Sequence, residues 1–176
     1  NAESLERELE WFAQVLNLRF THYFGSPEIQ ATTDDIRTIE PPDLDFDNST
    51  YAELIRTYHM GFDERLLFIL CLIPHVRPQA LDIFFTQNQI TGRTYTEFGG
   101  WRGKAHSGFL PTAETAIFLL AGQDLQRRFD ALKLFDVQHF FLKHNIIKLE
   151  HHAAGEPFLN ATISVTSEYL YRCTHW

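Results

Sequence analysis

Phe158-Leu159-Asn160-Ala161-Thr162-Ile163-Ser164-Val165 is the stretch on which the fold turns. Leu159, Ala161, Ile163 and Val165 alternate with Asn160, Thr162 and Ser164. That period of two sets one face of a strand on a core and the other in water. Upstream, Ile146 to Glu150 is short and β-branched at its start, and the intervening loop contains Gly155 and Pro157. The pair predicts an antiparallel hairpin, and Thr166 is placed to cap a closing helix through Tyr169 and Leu170. The apolar segments before residue 146 carry a helical period instead. The expected fold is mainly α with a small β-hairpin: a helical bundle with a winged-helix-like C-terminal part.

Phe62 to Ile73 is apolar almost all round, as a helix in the middle of a core must be. Pro74 and Pro78 are expected to end it and start the next, where Ala80, Leu81, Ile83, Phe84 and Phe85 continue the interior. Tyr51 to Tyr58 reads as a short helix. After Pro111, Thr112 is the expected N-cap of a helix that turns Ala113, Ala116, Ile117, Leu119 and Leu120 inward. Asp124 starts another, with Leu125, Phe129 and Leu132 on one face. Sixteen Phe against a single Met predict a core built on aromatic packing. Leu70→Ala is expected to cost about 2–5 kcal/mol if the central helix is placed correctly.

At the N-terminus, Leu5, Leu9, Phe12, Leu16 and Phe20 recur at three- and four-residue steps behind Ser4, the expected cap, and Trp11, Val15 and Leu18 widen the stripe. Asn1-Ala2 carry no weight in this reading, being short enough to be a cloning remnant. After the break at Gly25-Ser26-Pro27, the segment from Asp34 to Asp47 holds six acidic residues and one basic around Pro41-Pro42. It reads as an extended connector, with a partner-binding acidic strip as the alternative. Residues 1–48 are therefore read as an amphipathic helix plus acidic linker, and 49–176 as a helical and winged-helix domain.

The balance of charge narrows the function. Fifteen Lys and Arg against twenty-three Asp and Glu give a net charge of -8, a poor field for phosphate backbones. Nucleic acid is thus disfavoured as a partner. Two Cys make no disulfide framework. With no visible signal peptide and no apolar run near the ~20 residues that cross a bilayer, a cytoplasmic, membrane-free location is expected. Asn48-Ser49-Thr50 and Asn160-Ala161-Thr162 match the glycosylation pattern by chance on this reading.

The stretch from Gln87 to Gly108 gathers five glycines with Trp101, Arg93, Arg102 and Lys104. Neither G-x-x-x-x-G-K-[ST] nor a strand-linked G-x-G-x-x-G is present, so it reads as a mobile surface loop, with an anion or partner site as the alternative. Aromatic and arginine side chains are the usual anchors of interfaces, which makes Trp101, Arg102, Lys104 and Phe109 the candidate partner contacts. His139, His144, His151 and His152 crowd together, yet no spacing matches a helical H-E-x-x-H or a compact Cys/His site. Glu114 reads as an acid meeting the positive end of a helix. No catalytic, cofactor or metal residue is assigned.

Several motifs occur in an order that resembles the N-terminal domain of bacterial AAA+ ATPases of the kind associated with contractile injection systems. Gly61-Phe62-Asp63-Glu64-Arg65-Leu66-Leu67 resembles the acid-Arg pair that precedes a leucine-rich run. Gly108-Phe109-Leu110-Pro111-Thr112-Ala113-Glu114-Thr115-Ala116 precedes the next long helix, and His139-Phe140-Phe141 leads into the hairpin. Glu156-Pro157-Phe158-Leu159 and Thr166-Ser167-Glu168-Tyr169-Leu170 complete the set. The resemblance runs from Tyr51 to the C-terminus. It implies a non-catalytic protein-interaction domain that couples ATP-driven remodelling to a substrate or assembly. ATP and Mg are expected only in a AAA+ module following in cis, in a parent that analogy makes hexameric. The competing readings are a stand-alone winged-helix DNA-binding regulator, whose wing from Lys148 to Thr162 would carry one Lys against Glu150 and Glu156, and a small hydrolase built on the histidines.

Overall fold

The N-terminal apolar stripe folds into α1 (Ala2–Tyr23), which buries Leu5, Leu9, Trp11, Phe12, Val15 and Leu16. The computed structural model describes residues 1–175. Ser4 is not the cap of this helix. It lies inside, where its Oγ donates to Asp47 Oδ2 at 2.6 Å and lies 2.9 Å from Ser49 Oγ. Asn1 holds the cap position. Its Oδ1 accepts from the Tyr51 amide at 2.9 Å, and its Nδ2 donates to the Arg172 carbonyl at 3.1 Å. The first residue, given no weight in the sequence, thus ties three helices together.

A short α2 (Pro27–Thr32) follows, capped by Ser26. The acidic segment is then a fitted strap and not an open connector. Asp35 caps a 3-10 turn at Ile36–Thr38, Ile36 and Leu44 are buried, and Asp47 pairs with Arg7 at 2.6 Å. Two apolar anchors and these ion pairs outweigh the extended tendency of Pro41-Pro42. The hydrophobic core continues without a break from α1 across residue 48 to the C-terminal helix.

α3 (Thr50–Thr57) and α4 (Phe62–Val76) come next, and every residue of α4 from Arg65 to Ile73 is buried. Pro74 does not end α4. It sits in the last turn, where the one missing amide interrupts a single helical bond, and the chain bends by 104° only after Val76, into a 3-10 run at Pro78–Phe85. Leu81 and Phe84 of that run are buried while Ile83 is exposed. No single helix among the described residues is long and apolar enough to cross a membrane; this bent pair passes only when its two segments are counted together, and most of its apolar side chains, Ile83 apart, belong to the core.

α4 is joined to α1 by a buried ion pair. Glu8, fully buried, accepts two bonds from the Arg65 guanidinium, at 2.9 and 2.6 Å, and the same Nη2 donates to the Pro42 carbonyl at 2.9 Å. Burial pushes the Glu8 carboxyl upward and the Arg65 fork pulls it back. Beside it Tyr51 stacks on Phe68, with ring centroids 5.5 Å apart.

α5 (Ala113–Ala121) starts at Thr112 as the sequence indicates, and nearly all of it is buried. α6 (Leu125–Leu132) is capped by Asp124, and its apolar face is largely open. Leu125 and Phe129 are 61% and 51% exposed, Leu132 is half-buried, and within the helix only Ala131 is buried. The reason is the contact with α5: small Ala131 and the Arg128 fork on Glu114, at 2.6 and 2.9 Å, face inward, and this rotates the larger apolar residues outward. A 3-10 turn and α7 (Phe140–Lys143) lead to the hairpin. β1 (Ile147–Glu150) pairs antiparallel with β2 (Thr162–Val165), Ile147 opposite Val165 and Glu150 opposite Thr162. Phe158–Asn160, read as strand, is a 3-10 turn, and Ala161, Ile163 and Val165 supply the buried face. Helix α8 (Ser167–Thr174) closes the chain; the Thr166 hydroxyl turns away from it to the Asn145 carbonyl, at 2.7 Å. The molecule is mainly helical with a two-stranded antiparallel hairpin.

Candidate interaction groove

The glycine-rich stretch is fastened at its centre by the start of α5. Thr115 Oγ1 donates to the Phe98 carbonyl at 2.7 Å, and Thr112 Oγ1 accepts from the Gly100 amide at 3.1 Å. The same two threonines form the capping box of α5. Phe98, fully buried, packs on Phe20, Phe84 and Phe118. The sequence reading of a mobile loop is therefore corrected for residues 96–101: an anchored turn replaces it. Gly100 has φ of +96°, a region that L side chains seldom adopt, and a Cβ there would run into the Phe109 ring.

From this anchor Trp101 enters an extra ladder beside the hairpin. Its amide donates to the Leu110 carbonyl at 2.9 Å, and residues 111–113 pair in turn with β2, through Ile163 to the Pro111 carbonyl and Ala113 to the Ala161 carbonyl, both 3.0 Å. The Trp101 ring consequently lies flat against His152, with centroids 4.6 Å apart and planes 19° apart. The imidazole is fixed by a 2.8 Å contact between Nε2 and Thr162 Oγ1.

This aromatic pair forms one wall of an open groove of about 640 Å³ between the end of α4, the Trp101 turn and the hairpin. Pro74, Leu110, Pro111 and Ile163 provide apolar surface, and Arg102, Lys104, Lys148 and His75 provide cations or potential cations. Lys148 is 3.0 Å from Glu150. Arg102 and Lys104 have no ion-pair partner among the described residues. His75 Nε2 lies 2.9 Å from Ser164 Oγ; partial burial, then the charges of Lys148 and His106, hold its pKa below the ordinary value.

Of the four candidate contacts, three come together here: Trp101, Arg102 and Lys104. Phe109 does not join them. It is 5% exposed, stacked on Phe84 at 4.9 Å, and serves as the floor under Gly100. Sequence reading does not place His75, Lys148 or His152 at this site: Lys148 reads as a wing cation and His152 as one of a histidine cluster, and the hairpin and the end of α4 carry all three in from distant positions. Of the other histidines, His139 caps α7 by accepting from the Phe141 amide at 3.2 Å, and His151 leans on Phe158. No group of three or more His, Cys, Asp or Glu among the described residues is arranged to hold a metal ion. Comparison with protein families, with curated proteins and with solved structures finds no match to this chain.

Proposed function

We propose that this chain is a non-catalytic interaction domain whose groove takes an extended, acidic segment of a protein partner. The observation that supports it is the Trp101–His152 stack, braced through the Trp101 amide and the His152 imidazole and flanked by Arg102 and Lys104, cations without partners among the described residues in a chain of net charge -8. A rigid aromatic beside arginine loses little entropy on binding, and unpaired cations steer acidic partners toward it. Phosphate backbones reward long tracks of cations; the two unpaired cations beside this groove, Arg102 and Lys104, suit a short acidic peptide better.

In the same reading, the chain is the N-terminal module of a cytoplasmic AAA+ ATPase of the kind associated with contractile injection systems, with β1, β2 and α8 as a winged-helix-like part. The ordered motifs quoted above support this placement, and a AAA+ module in cis would carry ATP, Mg and the hexamer contacts. Two experiments separate the layers. Titration of the chain with a fluorescent Asp/Glu-rich peptide and with duplex DNA reads the groove: peptide binding that Trp101→Ala weakens by about tenfold or more is expected, and tighter, salt-steep DNA binding would overturn the proposal. Reading the coding sequence past Trp176 tests the parent: a G-x-x-x-x-G-K-[ST] with a downstream acidic strand is expected, and a stop codon there removes the AAA+ placement.

A further inference from the structure

At the C-terminal end of α5 lies a second cleft, of about 300 Å³, lined by Arg19, His22, Thr33, Asp35, Gln123 and Arg127 among others. Arg19 falls inside the apolar stripe of α1 and is 7% exposed. Its Nε donates to the Leu119 carbonyl at 2.9 Å, near the C-terminal end of α5. The Nη1 and Nη2 atoms make neither hydrogen bond nor ion pair among the described residues. The neighbouring arginines differ. Arg127 pairs with Asp35, and Arg37 bonds the Leu120 carbonyl at 3.3 Å and Asp63 at 3.0 Å.

Arg19 lies against the glycine that caps the C-terminus of α5. A Cβ on Gly122, whose φ is +56°, would come within 2.8 Å of Arg19 Nη1. Burial, the leading cause, draws the Arg19 pKa down to about 10, so the side chain stays charged at neutral pH. A buried guanidinium with both terminal nitrogens uncommitted presents a fork that matches a carboxylate, two parallel N–H···O bonds in one plane. Asp34, Asp35 and Asp124 also line the cleft, and Asp35 is already taken by Arg127, so inorganic phosphate is the necessary control for a carboxylate.

We infer that the Arg19 cleft is a carboxylate-binding site, separate from the Trp101 groove, with the Arg19 Nη pair as its receptor and Gln123 and His22 beside it. The carboxylate is supplied either by a peptide terminus or by a small organic acid. The test is a titration of the intact chain followed by NMR at the Arg19 Nε–H and the Gln123 amide. Four probes are compared: acetate, a short peptide with a free C-terminus, the same peptide amidated, and inorganic phosphate. Saturable shifts with acetate and the free peptide support the site with any small acid as ligand; shifts with the free peptide alone assign it to a chain terminus. Arg19→Lys, which keeps the charge but loses the fork, is expected to weaken binding about tenfold. Should that variant not fold, His22→Ala and the wild-type shift map carry the same test. Equal response to the amidated peptide, stronger binding of phosphate, or shifts confined to the Trp101 groove would each overturn the assignment.

Discussion

The seam between α1 and α4 and the groove beside Trp101 use the same ingredients, aromatic rings and arginines, to opposite ends. At the seam Arg65 is held on two sides: its Nε and Nη2 donate to Glu8 and Pro42, and its guanidinium lies over the Trp11 ring. At the groove Trp101 is braced but its flanking cations are left open. A charge that is buried and satisfied specifies the fold; one that is positioned and unsatisfied is available to something else. The contrast predicts that substitutions at the seam act on stability and those at the groove act on binding.

The largest effect is expected at the ion pair. Glu8→Ala leaves the Arg65 guanidinium buried without its carboxylate, which costs about 3–5 kcal/mol. Leu70→Ala, a cavity in the fully buried middle of α4, costs about 2–5 kcal/mol. Urea denaturation followed by far-UV circular dichroism checks both. Losses under half a kcal/mol at either position, as an order of magnitude, contradict the seam as the centre of stability. By contrast, Trp101→Ala is expected to cost no more than about 1 kcal/mol of stability while weakening the binding of the acidic peptide about tenfold. Collapse of the fold in that variant would move Trp101 from the groove to the core.

An acid titration sharpens the same distinction at a smaller scale. Asp47 straps the acidic segment to α1. Burial alone would raise its pKa, but hydrogen bonds from Ser4 and Ser49 and the charge of Arg7 win, and it falls from 3.8 to about 2. A carboxyl with a depressed folded pKa stabilises above its unfolded value and stops doing so as pH falls through the folded one. Stability is therefore expected to decline from about pH 4 toward pH 2, and Asp47→Asn should flatten that decline. An unchanged slope in the variant would show that the strap carries no linkage.

The hairpin, α4 and the start of α5 were legible because each has a local cause: alternation, an all-round apolar run, a Thr cap after Pro. Failures occurred where a distant partner overrides the local pattern. α6 reads as amphipathic, but its orientation is set by Ala131 and by the Arg128–Glu114 fork, and Leu125 and Phe129 turn to solvent. The acidic strap reads as a linker, since nothing in Asp34 to Asp47 announces that Arg7 and Arg127 wait for it. Some of the missed features did have a signal. Glu8 and Arg19 interrupt the apolar stripe of α1 at its own helical spacing, and a charge inside such a stripe must find either a buried partner or a use. Half of the groove was visible, as Trp101, Arg102 and Lys104 are neighbours in sequence. The wall formed by His75, Lys148 and His152 depends on the packing of β2 against α4, with the extra ladder at residues 111–113 beside it.

The smallest predicted effect probes how complete the satisfaction at the seam is. The Tyr51 hydroxyl is buried and has no hydrogen-bond partner among the described residues, while its ring stacks on Phe68. Glu8 lies close enough to raise the Tyr51 pKa further, after burial itself, yet both Glu8 oxygens already accept from Arg65. An unpartnered hydroxyl costs desolvation and returns nothing, so Tyr51→Phe, which keeps the ring and removes the oxygen, should leave stability unchanged or raise it by up to about 1 kcal/mol. A loss of more than about 1 kcal/mol would instead mean that the hydroxyl donates to Glu8 in solution. In that case the seam would be a three-membered network of Tyr51, Glu8 and Arg65, and the Glu8→Ala penalty would fall by a similar amount when measured in the Tyr51→Phe background, the double-mutant signature of a shared bond.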